Sequence, residues 1–318
     1  MVSVISAAAV AVQVGGVAAG APLLNGLMRQ VRARLEGRAG AGVGQPWRDL
    51  RKLLRKEAVT SLGTGPAFRA APVLLVATTA VVAALVPLAS TDTVVSGSSD
   101  LIVVVALLAL GTVTLALAGL DSGTAFGGMG ASREMTLAAL VEPTILVSVF
   151  ALSLPTGSTN LPAIVSGALL DPDRLVSPAG LLATAALAVA VLAETGRLPV
   201  DNPSTHLELT MVHEAMVLEY AGPDLALVEL GAQMRLTVLL GLLASLFAPW
   251  GIATTASAGA LVIGLAVCAG KVALLGAALA AAEVFWAKLR LFRVPELLAG
   301  SFLLSLLAVT ASYFLSGA

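Results

Sequence analysis

The hydrophobic positions of this chain gather into eight apolar runs, at about 2–27, 70–89, 101–120, 133–154, 177–193, 225–249, 256–285 and 297–316. A helix rises about 1.5 Å per residue, so runs of this length predict membrane-crossing helices rather than strands. Asp100 and Asp121 bracket the third run and fix its length. Pro249-Trp250-Gly251 turns the chain after the sixth, with Trp250 suited to the headgroup boundary. The first run has no basic residues ahead of it, so a retained span is expected rather than a cleaved signal.

Composition agrees with the pattern. The 318 residues are 58% hydrophobic and 12% charged, with mean hydropathy +0.97, which excludes a soluble globular chain. The expected fold is an all-α polytopic membrane protein of about eight transmembrane helices, a single transmembrane domain over 1–318. The lone cysteine, Cys268, lies in an apolar run, so no disulfide, zinc site or cysteine-bound cluster is expected in this chain alone. Charge is strongly sided. With eight spans, fifteen Lys and Arg fall on one side, in loops at about 28–69, 121–132, 194–224 and 286–296 and at Arg133 on the edge of the second, and only Arg174 on the other. The positive-inside rule makes the basic side cytoplasmic and both termini periplasmic.

Two polar stretches interrupt the apolar pattern on the basic side. The first, 28–57, holds two basic helical pieces around a glycine-rich turn. In the second piece, 47–57, Trp47, Leu50 and Leu54 recur at helical spacing, as in an amphipathic helix on the bilayer surface. Such a segment either binds lipid or docks a cytoplasmic partner; Arg29, Arg38, Arg51, Lys52 and Arg55 are the candidate contacts. The other stretch, 194–222, carries Glu194, Arg197, Asp201, Glu208, Glu214 and Glu219 and both histidines, His206 and His213. Pro199 and Pro203 stop the helix entering it, and a new helix is predicted from Thr205.

Inside the spans, Glu142 and Lys271 stand out. A charge at the centre of a span costs about 2.5–3.5 kcal/mol on insertion scales, so each is expected to face the protein interior. Glu142 suits a proton relay, while Lys271 either takes part in the transfer or snorkels or pairs with a buried carboxylate to hold the bundle together. Glu229, Arg235 and Glu283 lie nearer span ends, where interfacial solvation accounts for each. His213-Glu214 lacks the second histidine of a zinc-protease helix, since residue 217 is Val, and no phosphate loop or nucleophile elbow occurs.

Gly37-Arg38, Gln45-Pro46, Asp49, Lys52-Leu53-Leu54 and Lys56-Glu57, then Glu194-Thr195-Gly196-Arg197-Leu198-Pro199-Val200-Asp201, Glu208-Leu209 and Glu219-Tyr220, resemble the respiratory complex I subunit 1 family from the first span to the eighth. The resemblance is to its membrane-bound [NiFe] hydrogenase branch, of the formate hydrogenlyase and hydrogenase-4 type. Asn202-Pro203-Ser204-Thr205-His206-Leu207-Glu208 stands where quinone-reducing members carry an acidic cluster, and Asp121-Ser122-Gly123 with Gly127 to Glu134 fits the hydrogenase branch.

The resemblance implies a complex I subunit 1-like fold and a subunit without redox centres of its own. It would anchor a cytoplasmic arm and couple electron transfer to proton or sodium-ion translocation in a bacterial inner membrane. NiFe and iron–sulfur clusters would sit in partners: hydrogenase large and small subunits and a ferredoxin-like subunit, beside antiporter-like membrane subunits. No nucleic acid is expected. Glu142, Glu194, Arg197, Asp201, Glu208, Glu214 and Glu219 would line the polar path, with Lys271 added on cost alone; His206 and His213 join the partner interface. The alternatives are a quinone-reducing complex I subunit and an independent secondary ion transporter. For the topology, a reporter fused after Ala318 is expected to be periplasmic and one inserted at Gly42 cytoplasmic; a cytoplasmic C-terminus would require an odd number of spans.

Overall fold

The computed structural model describes residues 2–61, 63–201, 211–255 and 257–316. Among these it places twelve α-helices: α1 (Val2–Leu35), α2 (Gln45–Leu54), α3 (Pro66–Leu85), α4 (Leu101–Asp121), α5 (Ala125–Ser153), α6 (Leu161–Leu170), α7 (Asp173–Val176), α8 (Pro178–Glu194), α9 (His213–Val217), α10 (Gly222–Phe247), α11 (Ala258–Phe285) and α12 (Val294–Ser316). Seven of them, α1, α3, α4, α5, α10, α11 and α12, are long and apolar enough to cross a membrane.

The eighth expected span is α8, with 17 residues. At about 25 Å it is at the short limit for a bilayer. The connections on either side show that it crosses. At one end of the bundle, Ser90 bridges to Ala253, and Leu161 N donates to Ser99 O at 2.9 Å, gathering the turns after α3, α5 and α10. At the other end, Phe68 N donates to Asp121 Oδ2 at 2.8 Å, and Leu289 N to Pro199 O at 2.9 Å. The turn before α8 lies with the first group and the turn after it with the second.

Several boundaries differ from the sequence expectation. The first helix continues past 27 to Leu35, because nothing in the sequence stops it until Glu36-Gly37, where Gly37 takes φ +74°. The fourth begins at Ala125, with Thr124 accepting from Gly127 N as its cap. Arg133 and Glu134 are therefore inside a helix, and the 121–132 loop shrinks to a few residues. The apolar ten-residue α6 was not expected; Asn160 caps it and Pro162 opens it. The helix predicted from Thr205 falls largely on 202–210, outside the described residues; the next helix there is the five-residue α9.

One core cluster draws side chains from α1, α3, α4, α5, α6, α8, α10, α11 and α12. Helix α10 is its axis, 78% buried along its most apolar window against 17% for α11. That contrast explains why polar groups on α10 must find partners within the protein, whereas α11 and α12 turn large apolar side chains such as Ile263, Leu274 and Leu303 outward.

Candidate functional site

Where α8 ends and the 194–222 stretch begins, the bundle encloses a cavity of about 230 Å³ on its basic side. Asn25, Arg29 and Arg32 of α1 reach it, as do Thr112 of α4, Glu134 of α5, Glu194 and Arg197 after α8, His213 and Glu214 of α9, and Glu229, Gln233 and Arg235 of α10. Opposite charges thus converge from every side of a largely apolar bundle.

The strongest contact is between Arg235 and Glu194. The Arg235 Nη2 donates to Glu194 Oε1, to Thr112 Oγ1 at 2.6 Å and to the Leu108 carbonyl at 2.8 Å. Both side chains are nearly excluded from solvent, with 10% and 3% exposure. A buried pair repays its desolvation only with such extra hydrogen bonds. Room for the guanidinium comes from Gly111, since a Cβ there would lie 3.3 Å from Arg235 Nη1.

A second network ties the polar segment to the bundle. Arg32 of α1 pairs with Glu283 near the end of α11, and Arg197 approaches the same carboxylate at 3.8 Å. Lys288 pairs with Asp201 at 3.1 Å, and Asp201 Oδ2 accepts from Val212 N at 3.3 Å. Arg133 Nη1 donates to the Met211 carbonyl at 3.1 Å. Tyr220 closes the segment: its ring stacks on Phe68 at 4.0 Å and its hydroxyl donates to the Phe68 carbonyl at 2.7 Å. Burial pushes His213 below its usual pKa, opposed by the carboxylates of Glu214 and Asp201, so its imidazole is held toward the neutral form.

The expected path residues divide. Glu194, Arg197 and Glu214 line the cavity, and Asp201 is buried beside it. Glu142 lies two turns beyond Glu134 on α5, with a buried Oε1 that has no hydrogen-bond partner. Glu219 is half-buried outside the cavity, and Glu208 and His206 lie outside the described residues. Lys271 is elsewhere: its amine bonds the carbonyls of Ala248 and Trp250 beyond the other end of α10, which is the within-bundle role and not a place in the cavity. Of the expected partner contacts, Arg38, Arg51, Lys52 and Arg55 are exposed, but Arg29 and His213 face the cavity.

Four groups were undervalued. Arg235 and Glu283 are only 8% and 4% exposed, so interfacial solvation does not account for them. Arg235 is ten residues into its expected span, the same signal that singled out Lys271. Glu134 and Glu229 also face the cavity. Among the described residues, no three His, Cys, Asp or Glu side chains converge as metal ligands. Removing one half of the central pair should be costly: Arg235→Gln is expected to lower the free energy of unfolding by about 3–5 kcal/mol by leaving Glu194 buried alone. The double variant Arg235→Gln/Glu194→Gln should recover much of that loss, as measured by thermal aggregation in detergent; equal losses in both would deny the pairing energy.

The comparisons with known proteins agree with this geometry. A family model described as NADH dehydrogenase matches residues 7–313. The chain is 37% identical to hydrogenase-4 component C of Escherichia coli over 254 residues, 80% of this chain and 79% of that one. It is 34% identical to formate hydrogenlyase subunit 4 of the same organism over 277 residues, covering 87% and 89%. NADH-quinone oxidoreductase subunit 8 of Rhodothermus marinus is 30% identical over 216 residues, covering 65% and 61%. A chain of the archaeal membrane-bound sulfane sulfur reductase, a respiratory membrane complex, shares the fold with TM-score 0.79 at 18% identity, covering 96% of this chain and 98% of that one. With eight crossings around a charged cavity and matches along nearly its whole length, the chain is a multi-pass membrane protein that belongs to the NADH dehydrogenase subunit 1 family.

Proposed function

We propose that this chain is the membrane subunit of a [NiFe] hydrogenase-type complex of the formate hydrogenlyase kind, seated in a bacterial inner membrane with its basic side cytoplasmic. Its role is to anchor the redox arm and to couple electron transfer there to proton or sodium-ion movement. The observation that carries the reading is the line of part-buried carboxylates from the cavity into the bundle. Glu194 and Glu134 face the cavity, and Glu142 follows on α5, about 12 Å further along the helix axis from Glu134. Identity to two hydrogenase-complex subunits over most of both chains supports the choice of complex.

On this reading electrons stay in the partners, which carry the NiFe site and iron–sulfur clusters: the hydrogenase large and small subunits and a ferredoxin-like subunit. Antiporter-like subunits would lie beside the chain in the membrane. The chain's own residues act electrostatically. A charge change in the arm alters the field over His213 and Glu214, and the carboxylates behind them respond by exchanging protons. Glu194 is held by Arg235 and its hydrogen bonds, so it forms the fixed part of the site. Glu142, with no cation against it among the described residues, is the more responsive group. Against the quinone-reducing alternative stand its lower identity and this chain's Ser204 and His206, which take the place of an acidic cluster in quinone-reducing members. The independent transporter would purify active without iron or nickel.

Purification from the native membrane should therefore bring down hydrogenase chains with nickel and iron. Glu142→Gln keeps the shape of the side chain but cannot release a proton. It breaks no ion pair, so the complex should assemble and retain activity with soluble artificial electron donors. Ion translocation in vesicles, or turnover that depends on it, should fall by about a hundredfold or more, the scale typical of lost proton transfer. Translocation at the parental rate would remove α5 from the path.

A further inference from the structure

Helix α2 is held against the bundle by one face only. Pro46 and Leu50 are buried, and the helix packs on α1 and α10. Gly26 on α1 allows this approach, since a Cβ there would collide with the Val43 carbonyl. From that level the Trp47 indole reaches down α1, its Nε1 donating to the Ala19 carbonyl at 3.1 Å. Ala19 lies inside the first apolar run, ten residues before the first charge, Arg29.

The rest of the α2 circumference sorts by chemistry. At 100° per residue, Trp47 and Leu54 share an edge beside the buried face, 39% and 54% exposed. Arg51, Arg55, Arg48 and Lys52 follow over the next arc of about 100°. Arg48 bonds Gln45, and Asp49 meets Arg29 at 3.7 Å. Arg51, Lys52 and Arg55 have no carboxylate within ion-pairing distance among the described residues.

We propose that α2 is a lipid-binding helix, with Trp47 and Leu54 in the outer acyl region and Arg51, Lys52 and Arg55 on the phosphates of anionic phospholipids. A cytoplasmic protein could satisfy the basic arc, but it could not cover an indole that points along α1 into the apolar run. Only the bilayer meets both requirements at once, an apolar medium below and negative headgroups at the rim. The residues expected from sequence to hold a redox partner thus bind lipid, and the partner is left the end of α1, Arg38 and the 194–222 stretch.

The chain has three tryptophans, and Trp250 and Trp286 are exposed, so replacing both with Phe leaves Trp47 as the only indole. This full-length variant, with its co-purifying subunits, is placed in mixed phosphatidylcholine–phosphatidylglycerol vesicles. Bromine is carried on the acyl chains of one lipid or the other at equal total content. Trp47 fluorescence, read as the difference from the matching Trp47→Phe variant so that the partners' indoles cancel, should be quenched in both, and roughly twofold more when the bromine is on phosphatidylglycerol, reflecting enrichment beside the basic arc. Arg51→Gln/Lys52→Gln/Arg55→Gln should equalise the two, and Arg51→Lys/Arg55→Lys should preserve the difference. No quenching, or equal quenching by both lipids in the chain with the native arc, overturns the proposal even if the triple variant does not insert. Loss of the co-purifying subunits in the triple variant, with the lipid preference intact, assigns the arc to a protein partner instead.

Discussion

An arginine on the most enclosed helix of a membrane bundle sets the terms for everything around it. An arginine side chain this enclosed is costly unless the protein satisfies it, and Arg235 is only 8% exposed on the axis helix. It therefore requires acceptors from its neighbours, and Glu194, Thr112 and the Leu108 carbonyl supply them. That one group ties α10 to α8 and α4. Gly111 is the complementary constraint: a larger residue would occupy the guanidinium's space.

Irregular backbone at this depth survives only where it is lined by protein. The segment after α8 meets that condition through charges spaced along it. Arg197 turns toward Glu283, Asp201 toward Lys288, and Pro199 offers its carbonyl to Leu289 N. Each partner comes from the end of α11 or the turn after it, and Arg32 brings α1 to the same carboxylate. The polar stretch is thus clamped along one edge by the α11–α12 turn and closed at its far end by Tyr220 on Phe68. The cavity stays open between these clamps, with His213 and Glu214 at its wall.

The sequence made legible what depends on one segment at a time. Seven spans could be placed because unbroken apolar length has no other use, and α8 could be placed despite its 17 residues because Ser177 and Glu194 mark its ends. Glu142 was legible as a costly charge. What depends on pairing between segments was not. Arg235 lies ten residues into its run, so its depth was legible, but its partners on α8 and α4 and the enclosure of its helix were not. Lys271 carried the same signal as Glu142, yet its partners are main-chain carbonyls at Ala248 and Trp250, which no side-chain pattern announces. Helix α6 was missed because ten apolar residues are too few to cross a bilayer and were read as part of a connection.

The contrast between Glu194 and Glu142 bears directly on the proposed coupling. A carboxylate held by an arginine is part of the frame, since removing either partner strands the other in an apolar setting. It is a fixed charge, useful for holding shape and setting the local field. A carboxylate with a buried oxygen that no group among the described residues satisfies has no such partner there to strand. Pro143 follows it directly and removes the N–H that would have bonded one turn back, so the helix backbone at this level is also less tightly satisfied. If charge in an attached arm is to move a proton here, α5 is the element whose groups can answer, and the Arg235–Glu194 pair is the frame against which they do so.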